Sequence, residues 1–238
     1  MPNRREQAAA HLESGNRALA ANDFEQARRS LEAAAALEPA RAEARCQLGR
    51  TQLGLGDREL AEQSARMAIE ADPSHAASAH FLGTLLCERE RYAEALPWLQ
   101  TAAMLAPNNA QAQRDLGVVR LFLGDFAAGR AALTRTLELD PLAKDILPTL
   151  VRMTRMDSGA ADAEWLFALT REMVAKRDAL PMDAQIRVLF ALGKALEDRG
   201  DFGAAFEAYA SANAMHRAAI TYDVAADEAR LAAGGVSV

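Results

Sequence analysis

Prolines and glycines recur every 34 residues along the first part of this 238-residue chain. Each glycine of the series precedes a proline of the series by 24 residues. The positions are Gly15, Gly49, Gly83 and Gly117 for glycine, and Pro39, Pro73, Pro107 and Pro141 for proline. Two residue types that share one period over four cycles indicate stacked repeats, each of them one supersecondary unit.

Each period has the pattern of a helix pair. In the second unit, residues 42–55 form one helical stretch, Gly56-Asp57 interrupts it, and residues 58–71 form a second stretch that ends at Asp72-Pro73. An aspartate precedes each of several predicted second helices, where its side chain can accept a bond from a free backbone N–H. These residues are Asp23, Asp57, Asp125 and Asp201. Small residues at a fixed phase, namely Ala27, Ala61, Ala95 and Gly129, predict close packing of the two helices opposite the repeated glycines.

Composition supports an all-α chain and argues against several functions. Half of the residues are apolar but only 5% are aromatic, so most apolar mass is Ala and Leu, which favour helices. A net charge of −6 and an acidic pI make nucleic-acid binding an unfavoured function. We predict no membrane span, because no apolar run approaches about 18 residues. We predict no signal peptide, because the basic N-terminus is not followed by an apolar core and a cleavage site. Two cysteines at Cys46 and Cys87 fit a reducing cytoplasm.

The repeat unit resembles the tetratricopeptide repeat. The resemblance rests on the Leu-Gly pairs of the first helices, the alanine of the second helices, the closing proline, and an aromatic residue early in the second helix at Phe24, Tyr92 and Phe126. The usual tryptophan early in the first helix is absent. The resemblance implies an all-α, right-handed α-solenoid of antiparallel helix pairs in about six repeats plus a capping helix. The four regular units are residues 8–41, 42–75, 76–109 and 110–143, after a short N-terminal lead.

The register slips after residue 143. We interpret residues 144–185 as a degenerate, lengthened repeat with helical stretches near 145–156 and 161–177. A recognisable unit returns over 186–219 with Phe190-Ala191-Leu192-Gly193, and residues 223–233 are predicted to form a capping helix. Residues 234–238 are predicted to be a frayed tail.

No catalytic or cofactor motif appears in the sequence. Phosphate-binding glycine loops, the H-E-x-x-H zinc motif and C-x-x-C pairs are all missing, so we expect no enzyme, no cofactor and no metal site. Cys46 and Cys87 are interpreted as small apolar core residues rather than nucleophiles. Trp98 and Trp165, both on second helices, are expected to pack in the interior between units.

The resemblance implies a concave face lined by the first helices. Its candidate peptide-binding residues are Asn16, Gln47, Arg50, His80, Phe81, Arg114 and Lys194. A polar face of this kind can hold an extended peptide through side-chain contacts, and it can equally be a solvated surface neutralised by its own charge pairs. The carboxylate clamp of chaperone-binding repeats is incomplete, because Leu12, Gln47, Ala77 and Phe81 replace its Lys, Asn and later cations.

A second resemblance concerns residues 144–233. The repeat region of bacterial sulfotransferase proteins that carry such repeats is similar to Phe190 to Asp198, Gly200-Asp201-Phe202 and Ala205-Phe206.

The leading hypothesis from the repeat resemblance and the missing catalytic motifs is a non-catalytic protein- or peptide-binding scaffold in a bacterial cytoplasm. One alternative is an accessory domain that recognises the acceptor for a sulfotransferase, and another is a self-assembly module that stacks chains through its ends.

Overall fold

The computed structural model describes residues 3–140, 143 and 145–219. The chain divides into two compact units, Met1–Pro141 and Leu142–Val238. Within the described residues every regular element is helical. The predicted capping helix at 223–233, the tail at 234–238 and the closing Pro141 lie outside the described residues.

The first unit is a series of four helix pairs. Each first helix packs against the second helix of its own pair, and each second helix packs against the first helix of the next pair. The helices are α1 (Arg4–Ala20), α2 (Phe24–Leu37), α3 (Ala42–Gly54), α4 (Arg58–Ala71), α5 (Ala76–Glu88), α6 (Tyr92–Leu105), α7 (Ala110–Phe122) and α8 (Phe126–Leu139). The second, third and fourth pairs begin 34 residues apart, at Ala42, Ala76 and Ala110, because the same turn and stop residues recur in each cycle. The first pair begins at Arg4, four residues before the predicted start of that unit at residue 8, because Asn3 caps α1.

Aspartate caps begin three of the second helices. The Asp23 carboxylate accepts from the backbone N–H of Gln26 at 3.1 Å, and Asp125 accepts from Ala128 at 3.2 Å. Asp201 makes the same bond at the start of the helix Phe202–Ala219. Asp57 occupies the equivalent position at α4 but its side chain makes no capping bond. The predicted cap chemistry is confirmed at three of the four positions.

The repeated glycines lie where the two helices of a pair come closest. A Cβ atom at Gly83 would lie 2.6 Å from the Cγ of Leu99, which is fully buried on α6. Gly15 and Gly117 face Leu31 and Leu133 in the same way. The common relation is a first-helix glycine packed against the side chain sixteen residues later.

The second cycle departs from this pattern because Ala65 replaces the leucine. The shorter side chain leaves space, and Phe81 from α5 fills it: a Cβ atom at Gly49 would lie 2.8 Å from Cε1 of Phe81. Phe81 is consequently only 4% exposed and belongs to the apolar core of the first unit. The expectation that Phe81 offers its side chain to a ligand on the concave face is therefore corrected to a core role.

The part of the second unit that the structure describes contains a short 3-10 helix (Arg177–Ala179) and four α-helices: α9 (Leu147–Met153), α10 (Ala161–Ala175), α11 (Met182–Asp198) and α12 (Phe202–Ala219). α9 is shorter than the predicted stretch at 145–156, since Thr154 is already extended. Gly193 of α11 packs against Tyr209 of α12, which repeats the sixteen-residue relation of the first unit. Trp98 is half-buried against the core of the first unit, but 36% of Trp165 is exposed. The interior prediction is wrong for Trp165, because α10 turns that ring to its outer side.

Candidate functional site

The outward side chains of α3, α5 and α7 form one surface of the first unit, here called the first-helix face. Between α3 and α5 this face has a groove of about 280 Å³. The groove is lined by Glu43, Cys46, Gln47, Arg50, His75 and Ala77. Two predicted binding residues, Gln47 and Arg50, therefore share one depression.

Arg50 is held in position by an aromatic ring. Its guanidinium carbon lies 5.0 Å from the ring centroid of Phe81, which is within the range of a cation–π interaction. The Arg50 side chain is exposed while the ring below it is buried. Phe81 thus acts on this face indirectly, as the apolar support that orients a cation beside the groove.

His80 takes part in a polar network that joins α5 to α7. Its Nε2 lies 2.7 Å from Oδ2 of Asp115, and the side-chain amide of Gln111 donates to Oδ1 of the same carboxylate at 2.9 Å. Two partners cannot fill all four lone-pair directions of a carboxylate, so Asp115 can still accept a hydrogen bond from a ligand. The network fixes the spacing of the two helices at the centre of the face.

A second groove, of about 330 Å³, lies between α5 and α7. It is lined by Thr84, Cys87, Glu88, Tyr92, Asp115, Val118, Val119 and Phe122. Tyr92 and Phe122 stack in parallel with their centroids 4.5 Å apart and form an apolar wall. Asp115 links this groove to the His80 network, so polar and apolar contacts are available side by side.

Cys87 lines this groove but is poorly suited to be a nucleophile. Its pKa is raised to about 11, chiefly by burial and further by the charges of Asp115 and Glu88. The thiolate is the reactive form of cysteine, and a raised pKa keeps its population small at neutral pH. No group of three or more His, Cys, Asp or Glu side chains that could bind a metal ion occurs in the part of the chain that the structure describes.

The remaining predicted site residues are not brought to these grooves. Asn16 lies on α1, where the oxygen of its amide is buried and has no hydrogen-bond partner among the described residues. Arg114 lies on α7, half-buried, and lines neither groove. Lys194 belongs to the second unit, where its ammonium group pairs with Asp198. The seven predicted residues therefore do not form a single site.

Lys194 lines a different pocket, formed by α9, α11 and α12 and here called the α9–α11 pocket. Its volume is about 450 Å³. The lining residues are Asp145, Pro148, Thr149, Arg152, Arg187, Phe190, Ala191, Lys194 and Tyr209. Sequence reasoning missed Arg152 and Tyr209, because the register slip hid which side chains of α9 would face α11. The sixteen-residue relation from Gly193 to Tyr209 was the one signal that could have found the tyrosine.

Comparison with protein families identifies the repeats. The tetratricopeptide repeat model matches residues 12–76 and 46–110. Comparison with curated protein sequences found no match. None of the helices in the described ranges is both long enough and apolar enough to cross a membrane.

Several solved structures share the fold. PilF of Pseudomonas aeruginosa is 21% identical, with a TM-score of 0.70 over 96% of this chain and 98% of that one. MamA of Desulfovibrio magneticus RS-1 is 24% identical, with a TM-score of 0.59 over 73% of this chain and 98% of that one. YrrB, described as a TPR protein with an unusual peptide-binding site, is 19% identical, with a TM-score of 0.55 over 84% of this chain and 91% of that one.

The similarity to these structures defines the fold. The predicted resemblance of residues 144–233 to sulfotransferase-associated repeats stays a prediction, because none of the three structures bears on it. The family match and the helix pairing agree over residues 12–110. This chain therefore contains tetratricopeptide repeats over residues 12–110 and has the all-α fold of a TPR-like solenoid.

Proposed function

We propose that this chain is a non-catalytic scaffold that binds a protein or peptide segment on the first-helix face. The observation that carries the proposal is Arg50, an exposed guanidinium oriented over Phe81 at the edge of the α3–α5 groove. An arginine supported in this way loses little conformational freedom when it binds a carboxylate or a backbone carbonyl. The peptide-binding site described for YrrB supports the proposal by analogy of fold.

Polar groups on both sides of Arg50 suit an extended segment. Gln47 and His75 line the same groove, and Asp115 can accept from the backbone N–H groups of a peptide one helix further along. Side chains that donate and accept along a groove match the alternating N–H and C=O groups of an extended backbone. The preferred partner carries an acidic residue where it meets Arg50.

The test is capture of partners from cell extract with the wild type and with Arg50→Ala. Each charge-assisted hydrogen bond that is lost should weaken binding by about 1.5–3 kcal/mol. Arg29→Ala is the matched control, because Arg29 is an exposed arginine on the second helix α2. Thermal melts should show that Arg50→Ala leaves the fold intact.

The partner should then be measured directly with purified proteins. We expect Arg50→Ala to raise the dissociation constant at least tenfold, and Arg29→Ala to leave it unchanged. If Arg50→Ala captures the same partners as the wild type with the same affinity, the first-helix face is an ordinary solvated surface and the proposal fails.

A further inference from the structure

We propose that the α9–α11 pocket of the second unit is a separate binding site for an acidic peptide segment that presents an apolar side chain next to a carboxylate. The site lies wholly within the second unit and shares no residue with the first-helix face. It therefore goes beyond the proposed function of the first unit and does not depend on it.

The floor of the pocket is aromatic and fixed in place. The rings of Phe190 and Tyr209 lie 6.2 Å apart between centroids at an angle of 43°. The Tyr209 hydroxyl donates to a carboxylate oxygen of Glu197 at 2.9 Å, and its ring packs directly on Gly193. Because the Tyr209 ring is held at both its edge and its face, the pocket stays open without a ligand. The pocket volume of about 450 Å³ is within the range of ligand pockets.

Three cations surround this floor. Arg187 is paired with Asp183 at 2.8 Å and Lys194 is paired with Asp198, both within α11. Arg152, at the end of α9, is exposed and has no ion-pair partner among the described residues. Arg152 is thus the cation whose charge is free to meet a ligand, while Arg187 retains N–H donors beyond those that face Asp183.

The distribution of charge and apolar surface selects the ligand. Phe190, Ala191 and Pro148 offer an apolar contact, and Arg152 and Arg187 offer charge-assisted hydrogen bonds beside it. One carboxylate, Asp145, also lines the pocket, which disfavours a uniformly anionic chain such as a nucleic acid. An acidic peptide with an apolar residue satisfies both features.

The length of the pocket favours a peptide over a small acid. Arg187, Phe190, Ala191 and Lys194 form one stripe of α11, whose first and last residues are separated by seven residue steps. Seven helical residues rise about 10.5 Å, which is the length of about three residues of extended peptide. The apolar side chain would occupy the middle of this stripe and its acidic neighbours would lie at the ends.

The test uses fluorescence anisotropy with the full chain and a fluorescein-labelled peptide of sequence GDEFDEG. Two control peptides separate the contributions: GKKFKKG reverses the charge, and GDESDEG removes the apolar side chain. We expect saturable binding of the first peptide, at least tenfold weaker binding of both controls, and weaker binding as salt is raised.

Variants then locate the site. Arg152→Gln should raise the dissociation constant about tenfold, the loss expected for one charge-assisted hydrogen bond. Arg155→Gln is the matched control, since Arg155 lies three residues away and its side chain is 84% exposed in a pair with Asp157. Arg187→Gln on the pocket wall provides a second variant if Arg152→Gln lowers the melting temperature.

Defined results would overturn the proposal. They are equal affinity for GDEFDEG and GKKFKKG, an equal loss with Arg155→Gln, or binding that Arg50→Ala abolishes and Arg152→Gln leaves intact. Full competition by N-acetylphenylalanine at the concentration of the peptide would show a small-molecule site and would also overturn it. Failure of the first-helix face in the capture experiment affects none of these measurements.

Discussion

Gly83 and Leu99 show how a single hydrogen in place of a side chain sets the distance between two helices. The Leu99 side chain is fully buried, and both its Cγ and Cδ2 would lie 2.6 Å from a Cβ atom at Gly83. Real carbon contacts lie near 3.5–4.0 Å, so any larger residue must push α5 and α6 apart or force Leu99 from its rotamer. Glycine lowers the helix propensity of α5, but the close contact with Leu99 leaves no room for a larger residue.

Gly83→Leu is expected to lower the free energy of unfolding by about 3 kcal/mol through overpacking at this crossing. The matched control is Gly203→Ala on α12, where a Cβ atom would meet nothing within 4 Å. That change should raise stability by up to about 1 kcal/mol, because alanine has the higher helix propensity. Chemical denaturation measures both, and an unchanged midpoint for Gly83→Leu would refute the placement of the contact.

Cys87 should react slowly with alkylating reagents despite its partial exposure. With a pKa of about 11, due first to burial and then to Asp115 and Glu88, roughly one thiol in a thousand is ionised at pH 8. The alkylation rate by iodoacetamide should therefore rise about tenfold per pH unit from pH 8 to pH 10. A denatured sample is the control, because the alkylation rate of a free cysteine levels off above its pKa of about 8.5. A plateau near pH 9 in the folded protein would contradict the expectation.

At the scale of helices, Glu62 joins successive pairs of the first unit. Its carboxylate accepts from Arg66 on its own helix at 2.7 Å, from Arg91 at 3.0 Å and from Arg89 at 3.1 Å. Arg89 and Arg91 flank the turn between α5 and α6, so one half-buried acid of α4 anchors the next helix pair. Burial alone would raise the pKa of Glu62, but the bond from Arg66 and the charges of Arg91 and Arg66 outweigh it and the pKa is lowered.

Glu62→Gln is expected to cost about 1.5–3 kcal/mol of stability at pH 7, because the arginines lose a charged acceptor. A carboxylate whose pKa is lowered by folding stabilises the protein above its unfolded pKa of about 4.3, and this contribution is lost as the pH falls through the folded value. The stability difference between wild type and variant should therefore shrink below about pH 4.

Glu32→Gln is the control for this series. Glu32 is half exposed and pairs with Arg28 alone, so the substitution should change stability by less than about 1 kcal/mol at any pH. Urea denaturation between pH 3 and pH 7 measures both variants. A Glu62→Gln effect that stays constant down to pH 3 would show that its cause is steric and not ionic.

The aromatic residue that begins a second helix also acts between pairs. Tyr92 of α6 stacks on Phe122 at the end of α7, and Phe24 of α2 packs on Gly54 at the end of α3. Phe126 has the same place at the start of α8, yet it is 63% exposed. The regular 34-residue period ends with the unit that contains Phe126.

At the scale of the molecule, each compact unit contains one tryptophan. Trp98 packs against the core of the first unit and is less exposed than Trp165, which lies on α10 of the second unit with 36% of its surface exposed. We expect acrylamide to quench the Trp98→Phe variant, which reports Trp165, more strongly than the Trp165→Phe variant. Equal quenching constants for the two single-tryptophan proteins would contradict these exposures.

The sequence by itself determined the repeat architecture, because helix boundaries depend on local chemistry that the period repeats. Gly124-Asp125 and Asp72-Pro73 stop and start helices through backbone conformation and capping, which involve only neighbouring residues. The repeated glycines predicted close packing of the two helices of a pair, but the sequence pattern placed alanines such as Ala95 opposite them. The structure shows that the nearest side chains are leucines, as in the contact of Gly83 with Leu99. The fold class and the helix pairing follow from these signals.

Tertiary structure alone decided which side chains meet. Phe81 is buried because Ala65, sixteen residues after Gly49, leaves a space that a side chain of the next pair fills. Arg152 lines a pocket with Lys194 because the register slip after residue 143 brings α9 onto α11. Such contacts depend on the summed volumes and angles of several helices, and a pattern confined to one helix does not contain them.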